Sequence, residues 1–402
     1  VNDAAPLHVF VVAGEESGDR LGGPLMRALR AKLGDKVRFS GVGGGEMTAQ
    51  GLHSLFELGE LAIMGVSAIP RRLPAILRRT RETADAAIAA KPDILVIIDS
   101  PEFTHRVAKR VRARAPSIPI VDYVSPTVWA WRPHRARAMR RYIDHVLALL
   151  PFEPAVHVRL GGPPCTFVGH PIAERIDELR PNAAEQVRRD TKPAILLVMP
   201  GSRNGELDRM LPVFAQALEL IGTQAGPLEV VVPTVPHLAE RVRRETSAWK
   251  LPVRVVADPK EKNAAFRTAF GALAKSGTGT LELAVAGIPT VAAYKVSRVE
   301  EMIARALVKT PGFILANLIL GEKVVPELMQ WDCTPERIAA ALLPLLRDGP
   351  ERRVQLEAFA RLDGIMEIGR ASPSERAAAV VIELAKPANG ARLGVALPPS
   401  AA

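Results

Sequence analysis

The chain is poor in the residues that hold metals and disulfides. Only two of its 402 residues are cysteines, Cys165 and Cys333, and they show no metal-ligand spacing. That count excludes a disulfide-stapled scaffold and suits a reducing compartment. No Asp-x-Asp pair occurs, and no cluster of His, Cys and carboxylate has ligand spacing, so no metal and no cofactor is expected. Long hydrophobic runs are missing too. The longest candidates, at 94–98 and 146–150, are strand-sized and far short of a membrane span. The first residues carry no signal-peptide pattern, and the expectation is a protein that stays inside, soluble or peripheral. A Walker A loop and a G-x-G-x-x-G fingerprint are also lacking, so ordinary ATPase and dehydrogenase readings lose ground.

Positive charge, by contrast, is in excess: +10 at neutral pH, with a pI near 9.9 and arginine dominant. Nucleic acid, an anionic membrane surface and a phosphorylated small substrate all stay open as partners. Hydrophobic residues at 48% and charged residues at 24% are ordinary for a globular chain, and the length fits two domains better than one core. Strand-like runs at 8–13, 94–98, 118–124 and 146–149 alternate with helical stretches in one half. Runs at 194–199, 228–232, 253–256, 269–274 and 290–293 do the same in the other. This predicts an α/β chain of two Rossmann-like, doubly wound parallel domains facing a cleft, with a helical C-terminus. The expected domains are 1–172 and 190–350, followed by helices at 351–385 that pack back on the first domain. A disordered Pro-, Ala- and Gly-rich tail is expected at 386–402. Gly169-His170-Pro171 and the polar stretch 179–192 read as the hinge.

Two segments have the form of phosphate loops. From Lys275, Ser276-Gly277-Thr278-Gly279-Thr280 leads into a short apolar helix; Gly287 stands at its end, Pro289 bars continuation, and a strand follows from Thr290. A turn of this kind offers backbone N–H groups and a positive dipole end to an anion. Glu282, one turn in, is placed to accept from a ribose hydroxyl pair. The same residues also describe a capped helix with no ligand. The second segment, Pro200-Gly201-Ser202-Arg203-Asn204-Gly205-Glu206, follows the strand at 194–199 and precedes an amphipathic stretch. The loop therefore lies at the carboxyl end of a parallel strand, where open α/β sheets bind ligands. Arg203 there offers a planar fork to a diphosphate.

Further blocks accompany these loops in fixed order: Ala13-Gly14-Glu15-Glu16-Ser17-Gly18-Asp19, Gly41-Val42-Gly43-Gly44, Ile98-Asp99-Ser100-Pro101-Glu102-Phe103, Ser125-Pro126-Thr127-Val128-Trp129-Ala130-Trp131-Arg132, Leu150-Pro151-Phe152-Glu153 and Val168-Gly169-His170-Pro171. Over nearly its whole length the chain thus resembles the lipid-A-disaccharide synthases. The resemblance implies a membrane-associated glycosyltransferase of the two-domain GT-B type. Its reaction moves 2,3-diacylglucosamine from a UDP carrier to the 6-hydroxyl of 2,3-diacylglucosamine 1-phosphate. The products are a β-1,6-linked disaccharide 1-phosphate of lipid A biosynthesis and UDP. The first domain would then serve the acceptor and the membrane side, and the second the UDP-sugar. An anionic inner-membrane surface is the implied partner on the cytoplasmic face, with no nucleic acid and a homodimer left open.

Inversion at the sugar carbon needs one general base and a stabilised leaving diphosphate. The base is assigned to Asp99, at the carboxyl end of the 94–98 strand, with Ser100-Pro101 turning the chain away from helix. Its alternative is a cap for a helix starting near Thr104, or a turn-ordering role. Glu15, Ser17 and Asp19 form a second substrate-contacting loop, in which Asp19 equally suits an N-cap. The diphosphate is assigned to Gly201, Ser202, Arg203, Ser276, Gly277, Thr278 and Thr280, and the ribose to Glu282. Asn317 matches a polar family position or a turn residue.

Val66, Ile69, Leu73, Ile76 and Leu77 share one helical face with Arg71 and Arg72 away from it. That pattern suits an anionic membrane interface or ordinary core, and Pro70 and Pro74 put the helix start at about Arg71. Trp129, Trp131, Arg132, His134, Arg135, Arg137, Arg140 and Arg141 make a basic, aromatic cluster. It reads as base stacking, as contact with the acceptor phosphate through Arg132, or as tryptophans packed under solvated arginines. His170 reads as structural. The rivals are another nucleotide-sugar enzyme, such as an undecaprenyl-linked N-acetylglucosaminyltransferase or a UDP-sugar epimerase, and an RNA-binding protein whose affinity falls steeply with salt.

Overall fold

The computed structural model describes residues 5–61, 69–222, 224–296, 301 and 312–385. The tail expected at 386–402 lies outside them. The chain divides into two compact units: the N-terminal part through Pro171 joined by residues from Arg370 on, and Ile172–Gly369.

The first unit is built on β1 Leu7–Ala13, β2 Val37–Val42, β3 Ile94–Ile98, β4 Ile120–Tyr123, β5 His145–Ala148 and β6 Cys165–Phe167. They form one parallel sheet in the order β2-β1-β3-β4-β5-β6. Every residue of β3 is buried, because a parallel sheet is covered on both faces. The period-two alternation sorts the core. Val9, Val11, Val96 and Ile98 meet Leu25, Met26 and Leu29 of helix Glu16–Leu33 and Ala377 and Val381 of helix Pro373–Leu384. Phe10, Val12, Leu95 and Ile97 meet Ala84 and Ala87 of helix Ile69–Ala90 and Phe103 and Val107 of helix Pro101–Arg114.

The second unit repeats the plan with β7 Ala194–Met199, β8 Leu228–Pro233, β9 Val253–Val256, β10 Gly271–Lys275, β11 Thr290–Tyr294 and β12 Glu327–Met329. Their parallel order is β12-β11-β10-β7-β8-β9. Leu196, Val198, Val230 and Val232 pack with Met210, Phe214 and Leu218 of helix Asn204–Gly222 and with Ile338 and Leu342 of helix Pro335–Leu342. Both units are Rossmann-like. The strands absent from the sequence reading, β2, β6 and β12, are sheet edges, and their residues are partly exposed and mixed in polarity.

Two expectations about segment boundaries change. The stretch 179–192 does not hang free as a hinge. Helix Ala183–Asp190 is closed by an Asn182–Glu185 capping box, and the buried Arg189 donates to the carbonyls of Phe266, Arg267, Ala286 and Gly287. The expected block 351–385 also splits. Helix Pro350–Ile365 stays in the second unit, where Arg180 grips Asp363 and Gln355 bonds Thr290. Only helix Pro373–Leu384 joins the first unit.

In each sheet the order reverses beside its first strand. β1 lies between β2 and β3, and β7 between β8 and β10. Such reversals open a crevice at the carboxyl ends of the strands.

Candidate active site

At the second unit's reversal, the loops after β7 and β10 meet. Together with Pro233-Thr234-Val235 after β8 they bound a recess of about 230 Å³. Gly201, Ser202, Gly277, Thr278 and Glu282, all singled out in the sequence, line it. Gly201 has φ of +126°, and a Cβ there would stand 2.4 Å from Oε2 of Glu206, so glycine is required. Glu206 is the hub beneath the loop. Its buried carboxylate accepts from the Ser202 N–H at 2.8 Å and from Lys275 Nζ at 3.0 Å. Burial opposes that charge, but the Lys275 ammonium, the Ser202 N–H and Arg203 outweigh it and hold the carboxyl below its ordinary range.

The turn after β10 leaves the N–H groups of Gly277, Thr278 and Gly279 without an acceptor among the described residues. The helix Gly279–Val285 ends in a Schellman motif, Gly287 N–H to Ala284 O and Ile288 N–H to Leu283 O. Thr280 does not face the recess. It is buried, and its hydroxyl donates to Gly277 O at 2.7 Å, bracing the turn from inside. Ser276 is likewise buried beneath the turn, with its N–H on Ala293 O, and is not among the lining residues. Arg203 lies outside the recess with its side chain 82% exposed, 3.6 Å from Glu206. Glu282 is flanked by Arg175 at 3.3 Å and Lys262 at 3.8 Å. Lys262 and Lys275, both lining the recess, were not among the sequence-derived site residues. Lys275 had a legible signal, since it ends a strand directly before a Ser-Gly-Thr turn. Lys262 had none, being one of several polar residues on helix Pro259–Thr268.

At the first unit's reversal, the loops after β1 and β3 meet. Asp99 and Ser100 both sit in the left-handed region, at φ of +54° and +45°. Two such non-glycine residues in a row are costly and are held by their surroundings. Asp99 N–H donates to Tyr123 O at 3.0 Å, and its carbonyl accepts from Thr104 Oγ1 at 2.6 Å. The carboxylate accepts from Ser17 Oγ at 2.6 Å and from the Ser100 N–H at 2.7 Å. Ser17 and Asp99 are therefore brought together. Gly14 is needed for this approach, because a Cβ there would lie 2.5 Å from Ser100 Cβ. The helix begins at Pro101 itself, an N1 position proline suits, so neither the expected break after Ser100 nor a helix start near Thr104 holds.

Asp19 is a correction in both of its expected roles. It lies buried within helix Glu16–Leu33, and its carboxylate accepts from the N–H groups of Gly44, Glu46 and Met47 at 2.7, 2.9 and 3.0 Å. It caps the neighbouring helix Gly45–Thr48, which explains the Gly43-Gly44 motif. Glu15 is exposed at the head of its helix. Asn317 is also structural: buried, it donates to Val325 O and Glu327 Oε1 and accepts from the N–H groups of Val324 and Val325. Its four bonds fix the loop before β12 and leave nothing for a substrate.

Trp129 packs edge-on against Phe152, and Arg132, exposed, stacks over Trp131 at 4.1 Å. Beneath that loop Ser125 Oγ meets His157 Nε2 at 2.9 Å beside Glu153, whose carboxyl is pushed up to about 7 by burial. His170 is pushed down to about 4 by burial. In the basic amphipathic segment, Val66 lies outside the described residues. Helix Ile69–Ala90 starts before Arg71, because first-turn N–H groups have no intrahelical partner and Pro70 costs nothing there. Ile69, Arg71, Arg72 and Leu73 belong to this helix. Ile76 packs against the core and Leu77 is half-buried. Among the described residues no helix is long and apolar enough to cross a membrane, and no group of three or more His, Cys, Asp or Glu is placed to hold a metal ion.

Residues 9–380 match the family described as lipid-A-disaccharide synthetase. A lipid-A-disaccharide synthase of Nitrobacter hamburgensis is 59% identical over 375 residues, covering 93% of this chain and 95% of that protein. In fold, the crystal structure of Acinetobacter baumannii MurG superposes with a TM-score of 0.54 at 16% identity, over 94% of this chain and 99% of that one. The UDP-GlcNAc 2-epimerase of Neisseria meningitidis, bound to UDP-GlcNAc, gives a TM-score of 0.61 at 13% identity, over 94% and 100%. The fold is of the GT-B glycosyltransferase type.

Proposed function

The chain belongs to the lipid-A-disaccharide synthase family, and from that premise we propose that it moves 2,3-diacylglucosamine from UDP to the 6-hydroxyl of 2,3-diacylglucosamine 1-phosphate with inversion. The observation that carries this reading is the pair of unlike crevices at the two sheet reversals. In the first unit, Asp99 is held in a strained conformation with its carboxylate half-exposed beside Ser17, a placement that suits a general base. In the second, free N–H groups at 277–279 and the ammonium groups of Lys262 and Lys275 suit a diphosphate.

The acceptor O6 attacks the donor's anomeric carbon as the carbon–oxygen bond to the diphosphate breaks. Asp99 takes the O6 proton, and the electron pair leaves with UDP. Charge building on the departing β-phosphate is met by the turn N–H groups and by Lys275, which Glu206 aims. Arg203, exposed beside the same loop, can swing onto the diphosphate, while Gly201 and Ser202 let it approach. Glu282 would take the ribose. Residence on the cytoplasmic face of the inner membrane, with or without a homodimer, belongs to the same reading and is supported by the acylated substrates it names.

The test is UDP release from UDP-2,3-diacylglucosamine with and without the acceptor, in EDTA, with the product weighed by mass spectrometry. Acceptor-dependent UDP release and a new disaccharide 1-phosphate are expected. UDP binding without any transfer would move the chain to another nucleotide-sugar reaction.

A further inference from the structure

One basic face of the first unit carries four side chains that pair with nothing among the described residues. No Asp or Glu occurs from Tyr123 to Ile143, while Arg132, Arg135, Arg137, Arg140 and Arg141 fall close together. Helix His134–Met139 is anchored by Ala136 and Met139, both fully buried, and Ala136 joins Val128 and Val156 in a small apolar cluster. At helical spacing the opposite face then presents His134, Arg137 and Ala138, continued past the helix end by Arg140 and Arg141. These five residues line a surface recess of about 410 Å³.

The clustering of basic side chains around one recess, in a stretch without an acid, gives the recess its meaning. Many arginines take carboxylates, such as Arg79 with Glu60, Arg180 with Asp363 and Arg241 with Asp208, while others, such as Arg110 and Arg159, are exposed and make no hydrogen bond or ion pair among the described residues. Even Arg135, on another side of this helix, holds Glu102 at 2.5 Å. The side chains of His134, Arg137, Arg140 and Arg141 are exposed and make no hydrogen bond or ion pair among the described residues. Three guanidinium groups around one recess raise the local positive potential, which draws an anion. A phosphoryl group suits that potential, with two charges and oxygens spaced for forked guanidinium contacts.

We propose that Arg137, Arg140 and Arg141, with His134, form a phosphoryl-group site that takes a phosphate ester carried by a sugar or by a lipid headgroup. The site is made of residues separate from the 230 Å³ recess of the second unit and does not rest on the transfer reaction above.

The test compares the full chain with the variant Arg137→Gln/Arg140→Gln/Arg141→Gln, with UDP in excess to fill the other recess. Glucose 1-phosphate is titrated by calorimetry, and phosphatidylcholine vesicles with and without phosphatidylglycerol are co-sedimented. All three positions are exposed, so an unchanged circular dichroism spectrum and UDP affinity are expected, with at least a tenfold loss of binding to one phosphate probe. Loss confined to glucose 1-phosphate identifies a soluble or sugar-borne monoester; loss confined to anionic vesicles, and abolished by salt, identifies headgroups. Equal binding by both proteins, or no binding of either probe by the wild type, overturns the site. So does a response seen only with a single-stranded RNA oligonucleotide. Should the triple variant misfold, Arg140→Gln alone is expected to give a smaller loss on the same probe.

Discussion

The two sheet reversals are alike in topology and opposite in chemistry. Each joins a glycine-bearing loop to the carboxyl end of a buried strand beside a helix start. At the first, the N–H groups near the loop are consumed: Asp19 takes three of them and Asp99 a fourth, leaving the half-exposed Asp99 carboxylate, on a strained backbone and bonded to Ser17, at the crevice. At the second, the acid Glu206 is buried and consumed by Ser202 N–H and Lys275, and the N–H groups at 277–279 are left without an acceptor among the described residues. One fold plan thus yields an acidic crevice and a cationic one, according to which partner the local backbone satisfies internally.

Substitutions can break this comparison from either end. Asp99→Asn is expected to have the largest effect, lowering turnover by roughly a thousandfold, about 4 kcal/mol, while UDP affinity stays unchanged. Turnover at the wild-type level would remove Asp99 from the chemistry. Asp19→Ala should act on folding instead. Stranding three N–H groups, that of Met47 buried and those of Gly44 and Glu46 less so, is expected to cost on the order of 2 kcal/mol in urea unfolding, and a fully stable variant with lost activity would return Asp19 to the substrate.

The buried Glu153 sharpens the contrast by pH. Its carboxyl keeps its proton up to about 7 in the fold but only to its ordinary 4.5 once unfolded. The native state therefore holds the extra proton between these values, and its stability falls as pH rises through that window. Glu153→Gln should remove the fall, ending roughly 3 kcal/mol more stable than wild type above pH 7 and level with it near pH 4. Parallel pH dependence of the two proteins in chemical denaturation would refute the buried-proton account.

The smallest effects separate neighbours in the second crevice. Lys275→Gln is expected to weaken UDP binding about tenfold, close to 1.4 kcal/mol. Thr280→Val should lower stability by about 1 kcal/mol and leave UDP affinity intact. If the threonine change weakened UDP and the lysine change did not, the assignment of recess and brace would be reversed.

The sequence by itself determined the plan. Apolar runs such as 94–98 and 194–199 are long enough for one strand and apolar on both faces, so they had to be parallel strands under helices. Glycines and prolines at 200–201, 277–279 and 287–289 marked where strands and helices hand over to the next element. Edge strands were less legible because half-exposed residues carry no clear period. What only the tertiary structure decided is which polar side chain faces outward. Asp19 and Asp99 each stand a few residues past a buried strand, yet one is locked onto the Gly44–Met47 backbone and the other is not. Thr278 and Thr280 stand two residues apart, and only the first lines the recess. Arg175 and Lys262 reach Glu282 from elements distant in the chain. Hydrogen bonds act over about 3 Å and in fixed directions, so the partner depends on which backbone the fold brings alongside, a fact that residue spacing along the chain does not contain.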